Sequence, residues 1–295
     1  MTRRSCVDQR TAPQSGAVSV WRLRERTIDW SRRPAVMGVM NLTPDSSHAE
    51  SRIPTDAAAD AAAAMVEAGA EILDLGAESS RPGAESVSEA AEQDRLLPAL
   101  AAVRAAVDVP LTIDTTRAET ARLALELGAD GINDISAGMV EPSILDVVAR
   151  YGAGLVLMHM RGTPRTMQDE PQYRNVVAEV AVYLEERAAA AEMAGIAGDR
   201  VLVDPGLGFG KTLEHNLALL AGLKTIAGGR GLLLGASRKS FIGRLTGAEV
   251  TDRLGGSLAA AAAAHAAGAA VIRVHDVGPT RQFLEVLAAV DGAAV

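Results

Sequence analysis

The stretch LGADGIND (127–134) joins the end of a predicted helix, a glycine and a predicted strand within eight residues. The same order recurs in AGAEILDL (68–75), YGAGLVLM (151–158) and AGAAVIRV (267–274). Glycine ends helices readily because it adopts the left-handed conformation without a steric penalty. The pattern therefore predicts helices that stop at a glycine and lead directly into a strand. The glycines concerned are Gly69, Gly128, Gly152 and Gly268.

Eight short apolar segments are predicted to be strands. They are continuously apolar rather than alternating, which is typical of strands covered on both faces. The segments are AVMGVMN (35–41), EILDLG (71–76), PLTID (110–114), GIND (131–134), GLVLMH (154–159), VLVD (201–204), GLLLG (231–235) and AVIRVH (270–275).

Predicted helices follow these strands. They are Asp56–Ala68, Glu89–Val107, Ala118–Leu127, Pro142–Tyr151, Val176–Ala194, Leu213–Leu223, Thr251–Ala267 and Thr280–Val290. This alternation predicts an α/β fold in which residues 35–295 form one closed (β/α)8 barrel. A doubly wound open sheet is the alternative. Residues 1–34 are expected to form an N-terminal tail or hairpin that closes the bottom of the barrel, because Trp21–Trp30 (WRLRERTIDW) alternates.

Composition excludes several classes of protein. The 295 residues are 48% hydrophobic and 22% charged, as in soluble folded proteins. The net charge of −8 disfavours a nucleic-acid partner, although residues 1–34 hold eight Arg against three acids. The single Cys6 excludes an intrachain disulfide, and no uncharged apolar run is long enough for a membrane helix. The sequence thus predicts a cytoplasmic protein without a membrane partner.

Polar side chains stand at the end of nearly every predicted strand. In a barrel these carboxyl ends converge on one face, where ligands bind. A helix cap or a salt bridge could explain any one of them, but this explanation is weak for eight strands together. The residues are Asn41, Asp74 with Glu78, Asp114, Asn133 with Asp134, His159, Asp204, Ser237 with Lys239, and Arg273 with His275.

The polar residues divide into two chemical groups. Asp114, Asn133 and Asp204 supply planar acceptors and one amide donor, which suit the amino-pyrimidinone edge of a flat heterocycle. Lys239 could serve either group. The second group suits an anion, and its members are Asn41, Arg273, His275 and the loop residue Arg81.

Two other signals are discounted. GLGFGKT (206–212) imitates a phosphate-binding loop, but its glycines are one residue too close together. We expect Gly206–Gly210 to give the chain room to turn and a ligand room to approach. The other histidines are not spaced as metal ligands; they are His48, His215 and His265.

Eight motifs follow one another from about Pro34 to the C-terminus. They are MGVMNLTPDS (37–46), DLGAESSRPGA (74–84), LTIDTTR (111–117), GINDIS (131–136), LVLMHMRGTPRTMQ (155–168), VLVDPGLGFGK (201–211), LLLGASRKSFIG (232–243) and VIRVHDV (271–277). In this order they resemble the dihydropteroate synthase family. The resemblance implies a (β/α)8 fold, in agreement with the strand count.

The resemblance also implies a reaction. The family joins 6-hydroxymethyl-7,8-dihydropterin pyrophosphate to 4-aminobenzoate in folate biosynthesis, forming 7,8-dihydropteroate and releasing pyrophosphate. By resemblance, the pterin is held by Asp114, Asn133, Asp204 and Lys239. Asn41 binds pyrophosphate and its Mg2+, and Arg273 with His275 completes the anion pocket. A homodimer is expected by analogy.

The remaining residues implied by the resemblance form the aminobenzoate site. Ser80, Arg81 and Pro82 match the family's second loop, where Ser80 replaces a common Thr and keeps its hydroxyl. The other residues of this site are Phe209, Lys239 and Ser240. The implied catalytic residues are Asp114, Lys239 and Arg81.

The implied chemistry explains why no Ser–His or Cys–His pairing is found. Departure of pyrophosphate leaves a carbocation delocalised into the pterin ring, so carboxylates are needed near the ring and cations near the leaving group. Asp114 is the candidate for stabilising this positive charge. The aromatic amine attacks with its own lone pair, and no strong base is required.

The first loop departs from the family pattern. After NLTPDS the family usually continues with Phe, Ser, Asp and two glycines, whereas this chain reads SHAESR (47–52). This difference puts aminobenzoate recognition in doubt, and His48 or Glu50 is a candidate substitute. On this hypothesis Glu50→Ala raises the KM for the amine and leaves pterin affinity unchanged.

Two other functions stay open at this point. A catalytically silent pterin-binding paralogue would fit the altered first loop. A corrinoid-linked methyltransferase that binds methyltetrahydrofolate would have a similar barrel but needs no pyrophosphate pocket. SRKS (237–240) and RVHD (273–276) count against the methyltransferase.

Overall fold

Parallel strands form a closed barrel in the computed structural model, which describes residues 19–42, 53–79, 83–84, 86–163 and 165–293. A two-stranded antiparallel hairpin, β1 (Val20–Leu23) and β2 (Arg26–Asp29), precedes the barrel. The barrel strands are β3 (Ala35–Asn41), β4 (Ile72–Gly76), β5 (Leu111–Asp114), β6 (Gly131–Asp134), β7 (Gly154–Met158), β8 (Val201–Asp204), β9 (Gly231–Leu234) and β10 (Val271–Val274). Neighbours in sequence pair with each other, and β10 closes on β3. The (β/α)8 prediction is confirmed, and the open sheet is wrong.

Helices alternate with the barrel strands. They are α1 (Ala58–Glu67), α2 (Glu89–Ala106), α3 (Ala118–Glu126), α4 (Ser143–Tyr151), α5 (Val176–Met193), α6 (Leu213–Ala221), α7 (Leu223–Ala227), α8 (Ser240–Thr246), α9 (Leu254–Ala266) and α10 (Val277–Ala293). Short 3-10 helices span Thr55–Ala57, Gly198–Arg200 and Val250–Asp252.

The predicted helices differ from the observed ones at several places, among them the start of α9 at Leu254 rather than at Thr251. The stretch Leu213–Leu223 is interrupted at Gly222, where a Cβ would lie 2.7 Å from the side chain of Val177. The helix α8 was missed because seven residues are too few to show a helical period. The last helix begins at Val277 rather than at Thr280.

Glycine ends the helices where the sequence predicts it. Gly152 follows α4 in the left-handed conformation, with φ 58° and ψ 33°. Gly69, Gly128 and Gly268 also have positive φ values, of 102°, 99° and 77°. Each of these glycines turns the chain directly towards the next barrel strand, so the helices lie against the outside of the sheet.

The hairpin closes the amino end of the barrel. Trp21 and Leu23 are fully buried, and the Nε1 of Trp21 donates a hydrogen bond of 2.9 Å to the carbonyl oxygen of Arg200. Gly154, the first residue of β7, makes room for them, since a Cβ there would lie 2.8 Å from Cγ of Leu23. The buried apolar side chains of the hairpin and the lower barrel form one cluster. The carboxyl end is therefore the open end.

Truncation of the hairpin's aromatic anchor is expected to destabilise the fold. Trp21→Ala removes a fully buried ring and a buried hydrogen bond, so the free energy of unfolding should fall by about 3–5 kcal/mol. Chemical denaturation measures this change. Val286→Ala, at an exposed position of α10, is the control and should change stability by less than about 0.5 kcal/mol. Equal effects of the two variants would contradict this role of the hairpin.

Candidate active site

The barrel register brings polar side chains into one layer at the open end. Asn41 pairs with Gly76, Gly76 with Asp114, and Asp114 with Asn133. Paired residues of a parallel sheet share a face, so these positions point to the same side of the strands. A Cβ on Gly76 would lie 3.2 Å from Cβ of Asp114, so the glycine leaves room for the Asp114 carboxylate.

Asp74, one layer deeper, connects this site. Its side chain is fully buried, and its Oδ2 accepts hydrogen bonds from Nε of Arg273 at 2.6 Å and Nδ2 of Asn133 at 3.0 Å. The hydroxyl of Thr112 donates to its Oδ1 at 2.5 Å. Because a carboxylate only accepts, these bonds fix which end of the Asn133 amide faces Asp74. The Oδ1 of Asn133 is left as an acceptor for a ligand.

Arg273 links two carboxylates. Its Nη2 lies 3.0 Å from Oδ2 of Asp114, while its Nε binds Asp74. Burial opposes the charged form of Arg273, but the carboxylates of Asp74 and Asp114 raise its pKa above the ordinary value. The guanidinium is therefore a fixed positive charge beside the candidate carboxylate.

Asp204 and Lys239 lie on the opposite side of the site. A Cβ on Gly235 would lie 3.9 Å from Nζ of Lys239 and 4.0 Å from Oδ2 of Asp204, so the strand end at β9 leaves space for both groups. The backbone N–H of Gly206 donates to Oδ1 of Asp204 at 2.7 Å. The Nζ of Lys239 donates to the carbonyl oxygen of Leu207 at 2.5 Å.

Burial shifts the pKa values of these groups towards neutrality. It raises the pKa of Asp114 to about 7, against the opposing charge of Arg273. Burial also raises the pKa of Asp204, against the opposing charge of Lys239. The same cause lowers the pKa of Lys239 to about 8, although the charge of Asp204 acts in the other direction. Groups that titrate near pH 7 inside a pocket are typical of active sites.

Phe209 borders the Lys239 side of the site. Its ring centroid lies 4.8 Å from Nζ of Lys239, and the ring is partly exposed. Ser240 is exposed and begins the short helix α8. An aromatic face, a cation and a hydroxyl therefore lie next to the acidic pocket.

His275 and the loop after β9 are tied together. The backbone N–H of His275 donates to Oγ of Ser237 at 3.2 Å, and its Nδ1 lies 3.2 Å from the same oxygen. The next residue, Asp276, forms a bidentate pair with Arg238. These contacts hold the segment that carries Lys239 beside the end of β10.

Part of the predicted site lies outside the described residues. Ser80, Arg81 and Pro82 of the second loop are among them, as is the altered first loop SHAESR (47–52). The structure brings five of the predicted ligand-binding residues together at the open end of the barrel, with Arg273 close to members of both sides of the site. They are Asp114, Asn133, Asp204, Lys239 and Arg273.

Comparisons with known proteins show the family to which this chain belongs. The sequence profile described as pterin binding enzyme matches residues 37–275. The dihydropteroate synthase of Synechocystis is 43% identical over 264 residues, which cover 88% of this chain and 91% of that protein. The chain belongs to the dihydropteroate synthase family.

Solved structures of dihydropteroate synthases have the same fold. Xanthomonas albilineans dihydropteroate synthase with 4-aminobenzoic acid matches at a TM-score of 0.85 and 43% identity, covering 94% of this chain and 99% of that one. Burkholderia cenocepacia dihydropteroate synthase complexed with 7,8-dihydropteroate matches at a TM-score of 0.84 and 41% identity. That match covers 94% of this chain and 98% of that one. As a dihydropteroate synthase family member, this chain is a pterin-binding transferase of folate biosynthesis.

The dihydropteroate synthase family uses a divalent metal in catalysis. No group of three His, Cys, Asp or Glu side chains that could hold a metal occurs in the described part of the chain. Mg2+ does not need such a group, since it commonly takes one or two protein oxygens and completes its shell with water and substrate phosphates. Asn41 fits this demand, because it offers a hard amide oxygen at the end of β3.

Two buried side chains have roles in the structure that the sequence did not predict. From the sequence, Asp74 is an acid near a strand end without an assigned role, although it is the one charged residue within β4. The sequence around Lys211 reads only as an imitation of a phosphate-binding loop. In the structure Lys211 is 1% exposed.

In the described segments, no helix is long and apolar enough to span a membrane.

Proposed function

We propose that the open end of this barrel joins 6-hydroxymethyl-7,8-dihydropterin pyrophosphate to 4-aminobenzoate. The observation that supports this most is the network around Asp74, in which Arg273 contacts Asp114 and Asn133 is oriented as an acceptor. One pocket then offers carboxylates to a cationic ring and the guanidinium cation of Arg273 to its leaving group. The product is 7,8-dihydropteroate, and pyrophosphate leaves.

The pterin ring lies among Asp114, Asn133 and Asp204 in this proposal. Two carboxylates and the Oδ1 of Asn133 accept hydrogen bonds from the amino and ring N–H groups. Lys239 contacts the ring carbonyl side, and its charge favours the ionised form of Asp204 against the effect of burial. Because these groups are buried, each hydrogen bond is stronger than in water and fixes the orientation of the ring.

The pyrophosphate lies towards Asn41, Arg273 and His275. The guanidinium of Arg273 stays positively charged at every working pH. Asn41 is the proposed Mg2+ ligand, and Mg2+ would neutralise charge on the leaving group when bound. The backbone N–H and the imidazole Nδ1 of His275 both contact Oγ of Ser237, which orients the imidazole for the proposed anion.

The amine binds beside Phe209, Lys239 and Ser240, with Ser80 and Arg81 of the second loop completing this site. Phe209 gives a face on which the benzoate ring packs, and the cations Lys239 and Arg81 attract the benzoate carboxylate. Arg81 and Lys239 are proposed as catalytic together with Asp114. The amine nitrogen attacks the methylene carbon after the C–O bond to pyrophosphate breaks, and its proton passes to solvent or pyrophosphate.

A direct assay tests this function. Purified protein is mixed with the pterin pyrophosphate, Mg2+ and 4-aminobenzoate, and pyrophosphate release is measured together with dihydropteroate formation. Turnover that depends on all components supports the proposal. Tight pterin binding without release would overturn it and support a silent pterin-binding paralogue. In a separate reaction that supplies methyltetrahydrofolate and a corrinoid acceptor, methyl transfer would support the corrinoid-linked alternative.

The pH profile of kcat/KM is expected to be bell-shaped. Asp114, with its pKa raised to about 7, must be ionised, so activity should rise as the pH passes through that value. Lys239, with its pKa lowered to about 8, must be protonated, so activity should fall above that value. Steady-state kinetics over this range measure both limbs. The acid limb should disappear in Asp114→Asn, and a limb that persists there would contradict the assignment.

Assembly and compartment stay predictions. A cytoplasmic homodimer is proposed by analogy with other barrel synthases. Leu217 of α6 and Leu245 of α8 are exposed on neighbouring helices, which gives an apolar surface for a second copy. Sedimentation at micromolar concentration measures the mass, and a monomer at all concentrations would contradict the dimer.

A further inference from the structure

Four consecutive peptide groups in the loop between β8 and α6 are held by side chains. Each carbonyl oxygen accepts a hydrogen bond from a different donor. The acceptor and donor pairs are Leu207 with Lys239 (2.5 Å), Gly208 with Gln168 (2.6 Å), Phe209 with Lys211 (2.9 Å) and Gly210 with Tyr173 (2.9 Å). Loop carbonyls commonly face water, so this arrangement holds the backbone that carries Phe209 in one conformation.

Lys211 is the buried member of this set. Its Nζ contacts three acceptors: the carbonyl oxygen of Phe209 at 2.9 Å, the carbonyl oxygen of His159 at 3.2 Å, and Nδ1 of His159 at 3.0 Å. An ammonium group has three N–H donors, so these contacts use all of them. The side chain is only 1% exposed. Lys211 therefore joins the end of β7 to the peptide of Phe209.

These contacts do not depend on the protonation state of Lys211. Burial lowers the pKa of Lys211 well below its ordinary value. Burial, together with the charge of Lys211, lowers the pKa of His159 to about 3, so its imidazole is neutral. An ammonium donates to all three acceptors, whereas a neutral amine donates to both carbonyls and accepts from the Nδ1–H of His159.

The loop lies directly against the backbone that follows β7. Gly210 has a φ of 66°, and a Cβ there would lie 2.6 Å from the carbonyl oxygen of Arg161. A Cβ on Gly206 would overlap the carbonyl oxygen of His159. The glycines of GLGFGKT thus permit close backbone contact, and Lys211 locks that contact with hydrogen bonds. A shift of Phe209 requires breaking them.

We infer that Lys211, acting with Tyr173 on the same loop, is a positioning residue for the amine subsite, where these hydrogen bonds fix the Phe209 ring beside Lys239. The inference rests on the proposed function, which assigns Phe209 to 4-aminobenzoate. A direct role on the pyrophosphate does not fit, because Lys211 is buried and its donors already have acceptors. Loss of Lys211 should therefore weaken binding of the amine through Phe209 and change binding of the pterin less.

Lys211→Met tests the inference, since methionine keeps the apolar length and removes the donors. We expect the KM for 4-aminobenzoate to rise tenfold or more. The KM for the pterin pyrophosphate should change by less than twofold, and kcat by less than about threefold. Lys224→Met, at an exposed position of α7, is the matched control and should leave all three unchanged. Unchanged amine KM, or an equal loss for both substrates, would overturn the inference.

Tyr173→Phe is a second variant that keeps the ring and removes only the bond to Gly210. It should raise the amine KM selectively, about two- to fivefold, and it decides the matter if Lys211→Met does not fold. An unchanged amine KM in Tyr173→Phe would then overturn the inference. Turnover by the unaltered chain and by Lys224→Met tests the proposed function separately. Absence of turnover in those two proteins counts against the function rather than against the role of Lys211.

Discussion

Asp114→Asn is expected to lower kcat about 10²- to 10³-fold, the loss typical of removing one oriented group that stabilises a developing charge. The carboxylate lies at the end of β5 beside Arg273, in the layer formed with Asn133. Asparagine keeps the size and one acceptor oxygen but carries no negative charge towards the cationic ring. Single-turnover measurement of dihydropteroate formation reports this step directly.

Asp108→Asn is the control for this experiment. Asp108 lies before β5 on the closed end of the barrel, and its side chain is 97% exposed. The variant should keep kcat within about twofold, since it is far from the open end. If Asp114→Asn also kept kcat within twofold, a role for that carboxylate in stabilising the cation would be contradicted.

Arg273→Met is expected to abolish turnover and to destabilise the fold by about 3–5 kcal/mol. The variant removes the cation that pairs with Asp74 and Asp114. Because the Asp74 side chain is fully buried, it would be left as an uncompensated charge. Chemical denaturation measures the stability loss, and the pyrophosphate assay measures the activity loss.

A double variant separates these two effects. Asp74→Asn combined with Arg273→Met removes both partners of the buried pair, so it should recover part of the lost stability but none of the activity. Arg122→Met, in a surface pair on α3, should cost no more than about 1 kcal/mol. Additive stability losses in the double variant would contradict the buried pairing of Asp74 with Arg273.

The barrel could be predicted because its signals are local. Continuous apolar segments mark the strands, and glycines such as Gly152 mark the helix ends, so both can be read within a few residues. Short helices could not be read in this way. The helix α8 is too short to show a periodic pattern, and the break at Gly222 depends on packing against the distant Val177.

The charged groups gathered at the open end could be predicted, but their buried supports could not. Asp114 and Lys239 stand out because they follow apolar strands at the end where ligands bind. Asp74 lies one layer deeper in the barrel and Lys211 is buried in the loop after β8. Their roles depend on partners such as Arg273 and His159 that are remote in sequence. Spacing alone contains no signal for such long-range hydrogen bonds.

A crystal structure with the intact pterin pyrophosphate would test the central claim most directly. We expect the amino-pyrimidinone edge within about 2.7–3.2 Å of Asp114, Asn133 and Asp204, with the pyrophosphate towards Asn41 and Arg273. A pterin bound away from these side chains, or with its pyrophosphate among the acids, would contradict the account.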